Sequence, residues 1–162
     1  MTARFAHPWV TFTALSLLFF LVSAATFSSL GVVLPAMVSE MHWSWTEAGF
    51  GYTLLGLACG LSSVAAAMCV RRWGVRYTLA AGAALLIGGF GALALTHSVW
   101  GYFLGTILLG VAFSLSSTVP GTHVLTALFK RQSTVIGAYF TIGALGSVAG
   151  PLLYVLIAPG HG

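Results

Sequence analysis

The sequence has very few charged residues. Of its 162 residues, six are lysine or arginine and two are aspartate or glutamate, so that 5% are charged while 59% are hydrophobic. Soluble domains carry about a quarter charged residues, which keep their surfaces in water. The composition therefore indicates a membrane protein. At about 20 apolar residues for each crossing of a bilayer, the chain has room for five or six spans.

Groups that would support catalysis or nucleic-acid binding are also scarce. Two cysteines are too few for a disulfide framework. The five histidines are scattered without metal-ligand spacing, and Glu40 and Glu47 have no third group beside them for acid–base chemistry. The basic residues form no face with interleaved aromatics, which argues against nucleic acid. We therefore expect no catalytic residues, no metal, no cofactor and no enzymatic activity.

Apolar runs separated by short polar breaks predict a single all-α membrane domain over residues 1–162. Five transmembrane helices are expected at about 9–38, 46–70, 77–95, 99–129 and 133–158. The first run continues past Ala24 with no polar boundary, which favours a span over a cleaved signal peptide. Ser44 and Glu47 have capping-box spacing and predict the start of the second helix. Trp43 and Trp45 are then expected at headgroup depth.

The turn from Arg71 to Arg76 sets the predicted orientation, because it holds three arginines. Each would cost roughly 2.5–3.5 kcal/mol in hydrocarbon, so the turn must lie in water. Positive residues near span ends stay on the cytoplasmic side. We expect the chain to lie in the inner cell membrane. The rule then places the turn, the N-terminus and the Lys130–Arg131 loop on its cytoplasmic side. With five spans, the C-terminus lies outside.

Glycines recur at intervals of four residues along the predicted helices. Two glycines four apart share one helix face and allow another backbone to approach closely. We therefore predict packing seams at three pairs: Gly56 and Gly60, Gly101 and Gly105, and Gly146 and Gly150.

Three stretches give the chain a family resemblance. It resembles the N-terminal bundle of a major facilitator superfamily transporter, and within that family the monocarboxylate and oxalate:formate exchanger branch. Residues Trp43-Ser44-Trp45-Thr46-Glu47 are similar to the family's start of helix two, and Ala67 to Tyr77 are similar to its loop motif between helices two and three. The spacing of the family's helix-five motif is matched by Gly137, Gly146, Gly150 and Pro151.

The resemblance implies roles for two of these stretches. It assigns Arg71, Arg72, Gly74 and Arg76 to a gating loop, although Arg71 stands where the family has an aspartate that takes part in the charge network of the cytoplasmic gate. It assigns the helix-five glycines and their proline to helix packing. The arginine often found in the family's helix four is absent, since its position falls near Gly105.

The resemblance also implies a substrate cavity, because helices one and four line the cavity in this family. The candidates are polar side chains on the first, fourth and fifth spans: Thr26, Ser29, Ser114, Ser117, Thr118, His123 and Tyr139. A hydroxyl can instead bond its own helix's carbonyl four residues back, and this alternative is open for each. The hydroxyls around Pro120 are the more suggestive candidates, because proline frees a backbone carbonyl and a broken helix can present polar groups to a cavity. His123 is the candidate for proton handling, with an interfacial position as its alternative.

The family is built from two six-helix halves with the substrate between them. We therefore expect this chain to be part of a secondary transporter for small organic anions, working in the lipid bilayer with a second half, a second copy or other membrane subunits. No predicted span holds Asp, Glu, Lys or Arg in its interior, Glu47 lying at the start of the second, so the chain alone is not expected to couple transport to a proton gradient. The alternatives are a structural or assembly subunit derived from a half-transporter, and a truncated fragment without independent activity.

Overall fold

The computed structural model describes residues 7–28, 38–39, 43–96 and 98–157, with the backbone alone for residues 28 and 150–157. All regular structure in these ranges is helical, which confirms the predicted all-α bundle. Helix α1 is Pro8–Ser23, continued by a π turn at Ala24–Ser28; α2 is Trp45–Trp73 and α3 is Val75–Leu95. Helix α4 consists of Val99–Phe113, a π turn at Ser114–Thr118, and Val119–Leu128; α5 is Gln132–Ile157.

Helices α1 to α4 are each long and apolar enough to cross a membrane. The C-terminal part of the predicted first span, including Ser29, lies outside the described residues. Helix α2 runs to Trp73, so Arg71 and Arg72 belong to its last turn, where positive charge is favourable beside unpaired carbonyls. The basic turn is therefore partly helical.

Local sequence explains where the helices begin and end. The predicted capping box is confirmed: the Glu47 amide donates to Ser44 Oγ at 3.2 Å, and the Ser44 amide donates to Glu47 Oε2 at 2.9 Å. Ser98 starts α4 in a similar way by accepting from the Gly101 amide at 3.2 Å. Between α2 and α3, Gly74 has a φ of 85°, a conformation that favours glycine.

Helix α4 is the centre of the bundle. In its most apolar window 56% of the residues are buried, against 17% for α2 and α3, and it packs against all four other helices. Two apolar clusters surround it. The larger joins α1, α4 and α5 and consists of Leu15, Phe19, Val22, Phe113, Val124, Leu125 and Tyr139. The smaller joins α2 and α4 through Leu55, Tyr102 and Leu109.

Glycines let neighbouring helices approach α4 and α1 closely. A Cβ added at Gly82 of α3 would lie 2.7 Å from the Ser116 amide nitrogen in the π turn of α4. A Cβ at Gly110 of α4 would meet the Leu55 carbonyl of α2, and one at Gly146 of α5 would meet the Phe20 carbonyl of α1. Backbone-to-backbone approach of this kind is how close-packed membrane helices gain contact.

The packing seam predicted at Gly56 and Gly60 is wrong for the described bundle. A Cβ at either position has no neighbour among the described atoms within 4 Å, because this face of α2 points away from the other helices. The two glycines of the predicted α4 seam have different neighbours. Gly105 packs on Leu93 of α3, whereas Gly101 faces Thr96 of the preceding connection. Spacing identifies a shared face but not what that face meets.

The helix-five positions also differ from one another. Gly146 packs on α1, while Gly137, for which a packing role was expected, has no described atom within 4 Å of its Cβ position. Gly137 therefore makes no close contact in the described bundle. Gly150 and Pro151 lie in the helical backbone of α5, and their surroundings fall outside the description.

Candidate functional site

Two π turns lie at the middle of the polar region predicted from the sequence. One ends the described part of α1, and the other interrupts α4, where the Val119 amide donates to the Ser114 carbonyl five residues back. The π turn of α1 contacts α4 just before the second π turn, since the rings of Phe27 and Phe113 meet edge to face with centroids 5.3 Å apart. π turns of this kind disturb the regular hydrogen-bond ladder and recur at functional sites.

Pro120 accounts for the second π turn. Proline has no N–H, and its ring crowds the carbonyl four residues back, here that of Ser116. The helix widens instead of breaking, and it resumes at Val119 with Pro120 buried. Helix α4 therefore continues past Pro120 to Leu128, and the π turn before it absorbs the local disturbance.

Tyrosine hydroxyls from neighbouring helices bond to both π turns. Tyr52 of α2 donates to the Phe27 carbonyl at 3.1 Å, and Tyr139 of α5 donates to the Ser117 carbonyl at 2.7 Å. Each tyrosine thus satisfies a carbonyl at a place where the helical ladder is irregular. The sequence pointed to Tyr139 as a cavity residue but gave no signal for Tyr52, because a partner on another helix has no fixed spacing along the chain.

Three hydroxyls of this region, including that of the predicted cavity residue Ser117, are already bonded within their own helix. Ser117 Oγ donates to the Phe113 carbonyl at 2.7 Å, and Ser116 Oγ donates to the Ala112 carbonyl at 2.7 Å. Thr122 Oγ1 lies 2.9 Å from the Thr118 carbonyl and 3.0 Å from that of Val119. The alternative of bonding to the helix's own carbonyls is thus observed for Ser117, whose hydroxyl donor is occupied.

A second group of hydroxyls is buried without a partner. Thr26 and Ser114 are fully buried, and their side-chain oxygens have no hydrogen-bond partner in the described structure. The same holds for Ser16 Oγ and Thr118 Oγ1. Leaving a buried polar group unsatisfied costs about 1–3 kcal/mol, so such groups call for an explanation. Three of the four were predicted as cavity residues, and Ser16 was missed because it lies in an uninterrupted apolar run.

These hydroxyls are neutral groups that can both donate and accept. Among the described residues, charged side chains are confined to the ends of helices and to their connections. His123 is exposed on the last stretch of α4, whereas the unpartnered hydroxyls are buried. The site is therefore polar without being ionic.

The gating-loop residues form a separate, exposed group. Arg71 and Arg72 end α2, Gly74 turns the chain, and Arg76 lies in the first turn of α3. All three guanidinium groups are exposed. Within the described ranges, no acidic residue forms an ion pair with these three arginines.

The fold and the site define a class: a multi-pass membrane protein whose central helix carries buried hydroxyls at a π turn. The description "Major Facilitator Superfamily" belongs to a family model that matches residues 3–161, and the chain therefore belongs to this family of membrane transporters. The family expected from the sequence is confirmed. Neither the curated proteins nor the solved structures give a match.

Proposed function

We propose that the chain is one half of a secondary transporter for small organic anions, such as monocarboxylates, and that the solute passes between this bundle and a second one. The observation that carries the proposal is that the hydroxyls of Thr26 on α1 and Ser114 on α4 have no partner in the described structure. Both are fully buried in this conformation, so the solute reaches them only in a conformation that uncovers them. A hydroxyl donates to a carboxylate oxygen without needing a charge of its own. The similarity of Trp43 to Glu47 to the exchanger branch supports the substrate class.

The strength of such binding suits a carrier. Hydrogen bonds to charged groups contribute about 1.5–3 kcal/mol each, so two give about 3–6 kcal/mol, which corresponds to dissociation constants from about 0.04 mM to about 6 mM. A solute held this weakly is released readily. Proton coupling would require an Asp, Glu, Lys, Arg or His side chain on the second bundle, since none is buried among the described residues of this one.

In this proposal the second bundle packs against the outer faces of α2 and α5. Gly56, Gly60 and Gly137 have no described atom near their Cβ positions, so these faces are open to another helix. Small residues allow close approach in lipid, where packing rather than the hydrophobic effect drives association. The partner in this proposal is a separate transporter half, a second copy of the chain or another membrane subunit.

Flux measurements test the proposal. Proteoliposomes should contain either the chain alone or the complex that purifies with it in mild detergent, and uptake of radiolabelled lactate, formate and oxalate should be followed. We expect Thr26→Val and Ser114→Ala to reduce carboxylate flux at least tenfold. Thr122→Val is the control, because the Thr122 hydroxyl is already bonded within α4. Absence of carboxylate flux under every pairing would overturn the proposal.

A structural or assembly subunit is the second candidate function. The replacement of the gate aspartate by Arg71 favours it, because a bundle that docks without rocking does not need the charge network of the gate. Native gels in mild detergent, run beside the flux measurements, distinguish a structural subunit from a transporter. Co-migration with other membrane proteins in the absence of flux would support it, and a solitary monomer would contradict it.

A further inference from the structure

An open cleft lies beside the basic turn, at the C-terminal end of α2. It has a volume of about 570 Å³, and the described part of its wall consists of Ala65, Met68, Cys69, Arg71, Arg72 and Trp73. Ala65, Met68 and Arg72 are spaced i, i+3 and i+7, so they lie along one face of the helix. The wall is thus apolar over about 10 Å of helix and ends in guanidinium groups.

A second cleft of about 520 Å³ shares two of these residues. Arg72, Trp73 and Tyr77 line its described part, so Arg72 and Trp73 border both clefts. Trp73 and Tyr77 are 60% and 74% exposed, respectively. Exposed tryptophan and tyrosine rings beside positive charge are typical of the boundary between lipid tails and headgroups.

The positive charge of the turn is not neutralised by the described part of the chain. Arg71, Arg72 and Arg76 are all exposed, and Glu47, the described acidic residue, lies at the other end of α2. The 24 residues from Glu47 to Arg71 span about 36 Å, several times the Debye length at physiological salt. The turn therefore presents a positive field next to an apolar wall.

We propose that this cleft binds an anionic phospholipid. Arg71 and Arg72 hold the phosphate of its headgroup, the face formed by Ala65 and Met68 takes the start of an acyl chain, and the Trp73 indole lies at the level of the glycerol. Guanidinium groups match phosphate oxygens in a bidentate manner. A free phosphate would use the arginines but would gain nothing from the apolar wall, so the cleft fits a lipid better than a soluble anion.

Native mass spectrometry of the 162-residue chain tests the proposal. Protein in mild detergent is titrated with equal amounts of phosphatidylglycerol and phosphatidylcholine, and the retained lipid is counted. We expect preferential retention of phosphatidylglycerol and at least a tenfold loss of it in the double variant Arg71→Gln and Arg72→Gln. The double variant Lys130→Gln and Arg131→Gln removes the same charge from residues outside the two clefts and should leave retention unchanged.

Two further measurements distinguish binding of a lipid in the cleft from general electrostatic attraction between anionic lipids and the arginines. Ala65→Trp narrows the cleft on an exposed position while keeping every charge, and it should reduce phosphatidylglycerol retention at least fivefold. Inorganic phosphate at millimolar concentration should not displace the lipid. Equal retention of the two lipids, equal loss in both double variants, full retention by Ala65→Trp, or displacement by phosphate would each overturn the proposal. The Ala65→Trp arm decides the outcome if the arginine variant fails to fold.

Discussion

The hydroxyl of Tyr139 donates a 2.7 Å hydrogen bond to the main-chain carbonyl of Ser117 and so ties α5 to the π turn of α4. The Tyr139 ring is fully buried, stacks on Phe19 with centroids 4.6 Å apart, and lies against Gly121. One side chain thus links α1, α4 and α5 at the place where Pro120 disturbs the helix. Tyr52 makes the corresponding bond to the π turn of α1.

Tyr139→Phe is expected to destabilise the bundle while leaving its shape intact. The phenyl ring keeps the stacking on Phe19, but the buried Ser117 carbonyl loses its tyrosine donor, at a cost of about 1–3 kcal/mol. Unfolding of the purified chain by dodecyl sulfate, followed by circular dichroism, measures the loss. Tyr77→Phe is the control, because Tyr77 is 74% exposed and should show no change. Equal stability of the two variants would contradict the assigned role of Tyr139.

Gly146→Ala is expected to destabilise the chain by about 1–3 kcal/mol, since the added methyl group meets the Phe20 carbonyl and a backbone atom cannot rotate away. Gly56→Ala is the matched control on another helix. Its methyl group meets no described atom, so the helix gains about 0.5–1 kcal/mol from the better propensity of alanine. The same unfolding assay compares the two. Loss of stability in Gly56→Ala alone would show that the close contact had been assigned to the wrong face.

Gly56 and Gly146 show that the sequence did not predict which glycines make close helix contacts. Gly56 and Gly146 both belong to spacings of four, and a spacing describes one helix only. The face of a helix that meets another helix depends on how each helix is rotated about its own axis. This rotation is set by the sum of all contacts in the bundle. The helices themselves were predictable, because each is specified locally: Ser44 and Glu47 cap α2, and Gly74 ends it.

The polar site was predictable in outline but not in detail. The sequence predicts hydroxyls on α1 and α4, but a rule based on composition cannot distinguish Ser114 from Ser117. Only the structure separates Ser117, whose hydroxyl bonds the Phe113 carbonyl, from Ser114, whose hydroxyl has no partner in the described ranges. The π turn before Pro120 was not predicted, because a sequence shows that a donor is missing but not how the backbone compensates.

Gly74→Ala is expected to destabilise the α2–α3 connection by about 1–3 kcal/mol, because a φ of 85° with a ψ of 166° is a conformation that residues with a Cβ avoid. Open space surrounds Gly74, so the effect reports backbone strain and not a clash. Gly88→Ala on α3 provides the comparison, since its surroundings are equally open and its backbone is helical. If both variants were equally stable in the unfolding assay, strain at Gly74 would be refuted.

The orientation inferred from charge placement predicts a labelling pattern. Thr46 and Ser133 are exposed at the starts of α2 and α5, which the alternation of spans places on opposite sides of the membrane. With Cys59 and Cys69 replaced by alanine, an impermeant maleimide added to intact cells should label Thr46→Cys and spare Ser133→Cys. Both should be labelled after solubilisation in detergent, which controls for reactivity. The reverse pattern in intact cells would place the basic turn outside, and with it the proposed lipid cleft, because α2 ends on the side where α5 begins.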